Sequence, residues 1–325
     1  MTAPVSIAEG IWLIRLPLPF PVAILNVYLI RTDDGFLLLD CGLKTNACRK
    51  ALAEALASIG VQWTQIRRLI ITHLHPDHFG LAAEVRERSA NGIWMHKAEA
   101  ALLSPRFMDN DLFSEQSAWL IENGAPRDAT EEIAQASQGI SEFIDMFSPD
   151  GFLEDGDRIP VQEGEIEALL TPGHSPGLLT FYFAGRKLYF SSDHMVEKIT
   201  PNVGLHGHSS ENPLGDYLAS LKRVRELDID WVLPSHGQPF RGHRDWICAT
   251  MQHHEARCRR MQATVAEAPR TAYEVAAAEW GRHLSPLNER FAMAEALAHL
   301  EYLRRQGRVA VVRDGPLIRW RAVSQ

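Results

Sequence analysis

Cysteine is scarce in this 325-residue chain: Cys41, Cys48, Cys248 and Cys258 are all there is, with no C-x-x-C spacing. Four thiols cannot staple a chain of this length, so they read as free thiols of a reducing cytoplasm. Long apolar runs are lacking too. Ile11 to Leu25 is interrupted by Arg15, Pro17, Pro19 and Pro21, and Met1 to Gly10 carries no basic residue, so neither a membrane span nor a signal peptide is expected. Positive charge is short where nucleic acid would need it. The formal charge is -8; residues 1–240 hold 19 basic and 32 acidic residues, and residues 241–325 hold 14 arginines and 9 acids. Counterion release has little to work with in the larger part, which leaves the arginine-rich end as an interaction surface. No internal repeat is evident.

What is present is an ordinary globular composition with strands and helices in two half-sets. Ile11 to Leu16, Asn26 to Arg31 and Phe36 to Asp40 read as consecutive antiparallel strands separated by prolines and by Thr32-Asp33-Asp34-Gly35. Asn46 to Ser58 reads as a helix closed by Gly60, Leu69 to Thr72 as a buried strand, Leu81 to Glu87 as a helix and Ile93 to His96 as a strand. Residues 98–147 show no strand pattern and suggest two or three helices. Strands return between Gly151 and Ser191, followed by a helix from Pro213 to Glu226 and a short strand from Trp231 to Leu233. Helices on the outer faces of two packed sheets, an αββα sandwich, fit this order. Beyond about His243, apolar residues at Leu287, Phe291, Ala294, Leu297 and Leu300 mark a helix leading into a hairpin over Arg308 to Trp320 with an Asp314-Gly315 turn, a compact winged-helix-like appendage.

The chemistry concentrates in Thr72-His73-Leu74-His75-Pro76-Asp77-His78, directly after an apolar strand. Three imidazoles and a carboxylate so close together are costly to bury unless a cation offsets their desolvation. In extended backbone His73 and His75 project to one side, and the turn at Pro76 redirects Asp77 and His78 toward a second position. Imidazole and carboxylate ligands suit Zn²⁺, Fe²⁺ or Mn²⁺, and the absence of thiolate argues for an open, catalytic site.

This segment resembles the H-x-H-x-D-H motif of the metallo-β-lactamase superfamily, and the resemblance runs over roughly residues 10–240. Thr171 to Gly177 looks like the family's third segment, Ser191-Ser192-Asp193 like the segment with the bridging carboxylate, and Pro234 to Gly237 like the last histidine segment. The resemblance implies an αββα fold over residues 1–243, with 98–147 as a helical cap insertion and 244–325 as the winged-helix-like domain. It also implies two divalent ions, zinc first with iron or manganese as alternatives. One would be held by His73, His75 and His174 and the other by Asp77, His78 and His236, with Asp193 bridging and Asp40 orienting a ligand histidine. His96, His243, His253, His254, His283 and His299 read as surface or partly buried bystanders.

A bridged pair of ions implies hydrolysis by activated water, with Asp77, Asp193 and His194 as catalytic residues and His194, His206, His208 and Asn202 as candidates for proton donation or substrate contact. Asp193 is similar to the glyoxalase II-like branch, pointing to a small thioester or ester of acyl-CoA or glutathione type. Phe107, Met108, Leu112, Phe113, Trp119, Leu120, Phe143 and Met146 of the cap are candidates for an acyl pocket. The alternatives are a lactonase, an endoribonuclease acting on single-stranded RNA, an iron-dependent oxygenase of the persulfide type and a β-lactamase. No membrane partner is expected, and a homodimer is compatible with this reading.

Overall fold

The computed structural model describes residues 3–89, 91–107, 112–138 and 142–323. Seven strands form the first sheet in chain order: β1 (Val5–Ala8), β2 (Ile11–Pro17), β3 (Ile24–Arg31), β4 (Phe36–Leu39), β5 (Ile66–Ile70), β6 (Gly92–Met95) and β7 (Gly151–Phe152). β1 to β4 pair antiparallel; β4 to β7 pair parallel through helical crossovers. The second sheet comprises β8 (Arg158–Val161), β9 (Gly164–Leu170), β10 (Leu179–Phe183), β11 (Leu188–Ser192) and β12 (Trp231–Pro234), with β12 parallel to β11 at one edge. The two half-sets expected from the sequence are therefore these two sheets.

Strand periodicity is muted because both faces of each sheet are covered. On β2, Ile11 and Leu13 enter the core between the sheets while Ile14 and Leu16 face the outer helices; on β4, Leu37 and Leu39 face inward, Phe36 and Leu38 outward. From the second sheet, Ile166, Phe181, Phe183 and Phe190 fill the shared core. Against the first sheet lies α1 (Asn46–Ile59), capped by Thr45, whose hydroxyl accepts from the Cys48 amide, and closed by Gly60 in the left-handed region. Its buried stripe of Cys48, Ala51, Leu52, Ala55 and Leu56 follows the helical repeat. α2 (Pro76–Phe79) and α3 (Ala82–Ser89) complete that flank.

On the other flank, α8 (Pro213–Arg225) lies under α9 (His243–Glu267), α10 (Ala272–Trp280) and α11 (Pro286–Arg305), and the hairpin β13 (Val309–Asp314) and β14 (Leu317–Ala322) follows. Asp314 pairs with Leu317, so the two-residue hairpin loop is Gly315-Pro316 rather than Asp-Gly. Gly315 takes φ 59°, as the first position of a type II′ turn demands.

Three expectations are corrected. β1 was not anticipated; it is four residues long and half exposed, too short to carry a pattern. β5 ends at Ile70, because the amide of Thr72 leaves the ladder to bond the Asp40 carboxylate. Residues 98–147 hold four helices among the described residues: α4 (Lys97–Ala100), α5 (Leu103–Phe107), α6 (Leu112–Glu122) and α7 (Arg127–Gln138). The shortest of these have no period to read.

These helices are divided between the two flanks. Leu103 and Phe107 join the outer core of the first sheet, and Phe143 packs there too, while Leu120, Ala125 and Ile133 are buried in one cluster with α8 to α11, with Trp119 against it. Met146 is partly exposed. Met108 lies outside the described residues, and so do the side chains of Leu112 and Phe113.

Candidate metal centre

The ligand-type residues sit in loops or at a helix start just beyond strand ends, on one edge of the sandwich. His73 and His75 follow β5. Pro76 then occupies the first helical position of α2, with His75 still extended before it, and this break sends Asp77 and His78 away from the first pair. His174 lies between β9 and β10, Asp193 follows β11, and His236 follows β12.

The side chains gather into two sets that share a border. His75 Nδ1 stands 2.9 Å from both His73 Nε2 and His174 Nε2, and Asp193 Oδ2 stands 3.4 Å from His174 Nε2 and 3.9 Å from His73 Nε2. In the second set Asp77 Oδ2 is 3.4 Å from His236 Nε2 and 3.8 Å from His78 Nε2, and Asp193 Oδ1 is 3.5 and 3.6 Å from the same two nitrogens. Donor atoms around a tetrahedral first-row ion, each about 2.0–2.2 Å from it, stand roughly 3.3 Å apart. The seven residues grouped from sequence are thus brought together at that spacing, with the two Asp193 oxygens facing different sets.

Four of the five imidazoles are turned by their other nitrogen. His174 Nδ1–H donates to Asn202 O (2.8 Å), and His236 Nδ1–H donates to Ile24 O (2.9 Å). His78 Nδ1 stands 2.8 Å from Asp40 Oδ2, and His73 Nδ1 lies 3.1 Å from Thr72 Oγ1, whose proton goes to Asp40 Oδ2 at 2.9 Å. Because a carbonyl can only accept, the Nε2 lone pairs of His174 and His236 are left aimed into the cluster.

The set fits divalent ions on grounds independent of any motif. His78 Nε2 and Asp193 Oδ1 are buried without a hydrogen-bond partner, a costly state unless something cationic takes them up. Electrostatics agree. Burial alone would lower the pKa of His78, but Asp40, Asp77 and Asp193 outweigh it and raise it well above the ordinary value. Burial alone would raise Asp193, but His236 and His78 hold it well below the usual carboxylate range.

The supports include residues that the sequence did not single out. Thr72 links Asp40 to His73, and Ser192 Oγ meets Thr72 Oγ1 at 2.8 Å across the sheets. Asp40 and Ser192 hold left-handed backbone (φ 60° and 46°), a strain tolerated where neighbours fix the conformation. Glu99, fully buried on α4, accepts from Leu74 N (2.8 Å), Gly177 N (2.7 Å) and Ser175 Oγ, so one carboxylate binds the first-histidine loop to the His174 loop. Gly177 must be glycine: a Cβ there would fall 2.8 Å from His96 Nδ1 and 2.9 Å from Glu99 Cγ. Across the sheets, Asn26 Nδ2 donates to Pro234 O and Gly237 O (2.9 Å each) and Tyr28 Oη donates to Pro234 O (2.8 Å), clamping the His236 loop to β3.

Other expected residues fall elsewhere. His194 is not in the cluster: it is fully buried, its Nδ1 3.0 Å from Tyr189 Oη and its ring edge-on to Tyr217. Burial and then His174 push its pKa down to about 3, so it is a neutral core residue and not a proton donor to the site. His206 and His208 lie in the loop before α8, outside both sets. Asn202 contributes through its backbone oxygen. His254 and His299 are completely buried, contrary to the expectation of surface or partly buried positions.

Comparison with known proteins finds relatives along nearly the whole chain. The Metallo-beta-lactamase superfamily profile matches residues 21–236, and the profile described as "Metallo-beta-lactamase-like, C-terminal domain" matches residues 258–323. "Probable metallo-hydrolase YqjP" of Bacillus subtilis (strain 168) is 27% identical over 331 residues, covering 98% of this chain and 99% of that protein. "Acyl-coenzyme A thioesterase MBLAC2" of Homo sapiens is 26% identical over 235 residues, 67% of this chain and 75% of that one. A crystal structure of a metallo-beta-lactamase family protein from Thermus thermophilus superposes with TM-score 0.86 at 29% identity, covering 98% of this chain and 100% of that one.

Proposed function

The chain belongs to the metallo-β-lactamase superfamily and is a metallo-hydrolase of it, and from that premise we propose that it uses two divalent ions to hydrolyse a small thioester of the acyl-CoA or glutathione type. The observation that carries the two-ion reading is Asp193, whose Oδ2 borders the His73, His75 and His174 set while its Oδ1 borders Asp77, His78 and His236. Imidazole and carboxylate donors suit zinc, iron or manganese, of which zinc is the one proposed. An acidic residue in this position supports the glyoxalase II-like branch over the lactamases.

Two ions bound there would supply water of lowered pKa and a positive charge toward the scissile carbonyl oxygen. The chain's own residues do the positioning. His73 and His78 are wholly buried and fix the floor, while His75, Asp77 and His174 are partly exposed and form the open side where substrate enters. Asp40, Thr72 and the Asn202 and Ile24 carbonyls hold the ring protons on the outer nitrogens.

A small acyl substrate is supported over a polyanion by how the arginines of the C-terminal part are used. Arg257 and Arg260 pair with Glu279, Arg257 also with Glu295, Arg304 and Arg305 with Glu301, Arg313 with Glu122, and Arg319 with Glu274. Each of these charges already faces a carboxylate of the chain, Arg257 in the interior and Arg260, Arg304, Arg305 and Arg313 at the surface, which lowers the net positive potential available to phosphates. The domain division at about residue 243, with a winged-helix-like unit of α10, α11 and the β13–β14 hairpin, belongs to the same reading, as does a reducing cytoplasmic setting for the four free thiols.

The test is a panel of acyl-CoA, glutathione thioester, lactone, β-lactam and single-stranded RNA substrates at matched metal loading and low salt. Thioesters are expected to give the highest kcat/KM. Faster cleavage of RNA or of a β-lactam, abolished by His75→Ala, overturns the substrate assignment.

A further inference from the structure

The loop that bonds His174 does not stand alone; it is held by the C-terminal helical layer. Asn202 O accepts the His174 Nδ1 proton, and Asn202 Nδ2 donates at 3.1 Å to Glu295 Oε2 on α11. Further along the loop, Leu205 N donates to Ala294 O at 2.9 Å, and a Cβ on Gly204 would come within 2.8 Å of the Ala294 methyl, so loop and helix are in backbone contact. Glu295 is itself fixed. It is buried, its other oxygen takes the Arg257 guanidinium from α9, and Arg257 Nε also reaches Glu279 at 3.2 Å. His299 Nδ1–H donates to Glu295 O at 2.7 Å, and His254 Nδ1 meets His299 Nε2 at 3.1 Å.

Glu295, His254 and His299 lie close enough together to share an ion. Both Glu295 oxygens are already taken, by Arg257 and Asn202, so the carboxylate is directed at the loop, while His254 Nδ1 meets His299 Nε2 and His254 Nε2 is buried without a partner.

We propose that Glu295, acting through Asn202, is a positioning residue for His174, which makes α11 a part of the metal centre's support. The inference rests on the reading of His174 as a metal ligand. A ring whose outer nitrogen is anchored keeps its Nε2 lone pair in one direction, and loss of such an outer partner lowers metal affinity about 10–100-fold. Glu279 supplies an internal control, since it binds the same Arg257 but does not touch Asn202.

The experiment is a Zn²⁺ titration against a chromophoric chelator, with the Co²⁺ electronic spectrum of the reconstituted protein as a second readout. It uses full-length wild type, Glu295→Ala, Glu295→Gln, Asn202→Ala and Glu279→Ala. In Glu295→Ala and Asn202→Ala the Asn202 carbonyl remains but loses its anchor, so one of two ions is expected to bind up to about 10-fold more weakly, the lower end for loss of an outer partner, with a changed Co²⁺ spectrum. Glu295→Gln keeps one acceptor oxygen where Arg257 and the Asn202 amide each need one, so its affinity is expected between those of wild type and Glu295→Ala, and Glu279→Ala retains all of the wild-type affinity. Asn202→Ala removes no core packing and decides the matter should Glu295→Ala fail to fold. Wild-type affinity and spectrum in Asn202→Ala, or an equal loss in Glu279→Ala, overturns the role of Glu295. A wild type that takes up no ion overturns the reading of the centre itself.

Discussion

Asp40 Oδ2 lies 2.8 Å from His78 Nδ1 and also takes the Thr72 hydroxyl that faces His73 Nδ1, so one buried carboxylate orients a histidine in each ligand set. Its Oδ1 accepts the Thr72 amide at 2.8 Å. Asp40→Ala should therefore weaken both ions, each by about 10–100-fold, while the circular dichroism spectrum stays native. Equilibrium dialysis against Zn²⁺ followed by elemental analysis checks this. Loss confined to one ion would show that the Thr72 link does not carry orientation to His73.

Asp193→Ala removes the group that borders both sets. Turnover on any substrate the wild type accepts should fall by more than the roughly 100-fold that an outer partner costs, without loss of fold, because the side chain sits at the rim of the sandwich core. Steady-state kinetics on metal-analysed protein decides it. Wild-type turnover would remove Asp193 from the site.

His254 and His299 give a pH prediction for stability. Burial first, then neighbouring charges, push their pKa values down to about 2 and about 3. Both imidazoles are neutral in the folded protein through the window where the unfolded chain, with a pKa near 6.5, takes up protons. Stability is therefore fully present above about pH 6.5 and falls as the pH drops toward 3, by up to about 1.4 kcal/mol per pH unit for each histidine. Urea unfolding of chelator-treated protein from pH 7 to pH 4 should show a shallower slope in His299→Leu than in wild type. Parallel slopes would refute the assignment.

Ending the chain at Gly242 strips α9 to α11 from α8 and leaves Leu120, Ile133, Tyr217, Leu221 and Val224 without their cover. Apolar surface of that extent promotes association. The truncated protein is expected to aggregate or to change its association state by light scattering. A monodisperse product with the full-length association state would show that the layer is dispensable for packing.

The parts of the site that were legible in the sequence are those written in consecutive residues. His73 to His78 announced itself through composition and through Pro76, and the turns around His174, Asp193 and His236 lie where strands end. What was not legible depends on contacts between distant segments. Thr72 and Ser192 look like ordinary strand-end hydroxyls until the two sheets bring them within 2.8 Å, and Glu99 sits on a four-residue helix with no pattern of its own. His194 follows a ligand-type residue yet turns into the core, because the chain after Asp193 places it between Tyr189 and Tyr217. His254 and His299 occupy positions on α9 and α11 that become interior only once those helices pack on each other.

The clamp of Asn26 and Tyr28 on the His236 loop has a kinetic corollary. Those bonds join β3 to the end of β12 without drawing on any ion, so the last histidine is already in position when an ion arrives. For this ligand, uptake should then require no ordering of β12 or of the loop that follows it. Stripping with a chelator and reloading should be a fast, reversible cycle on an intact scaffold, limited by how the ion sheds its water and not by how the chain rearranges.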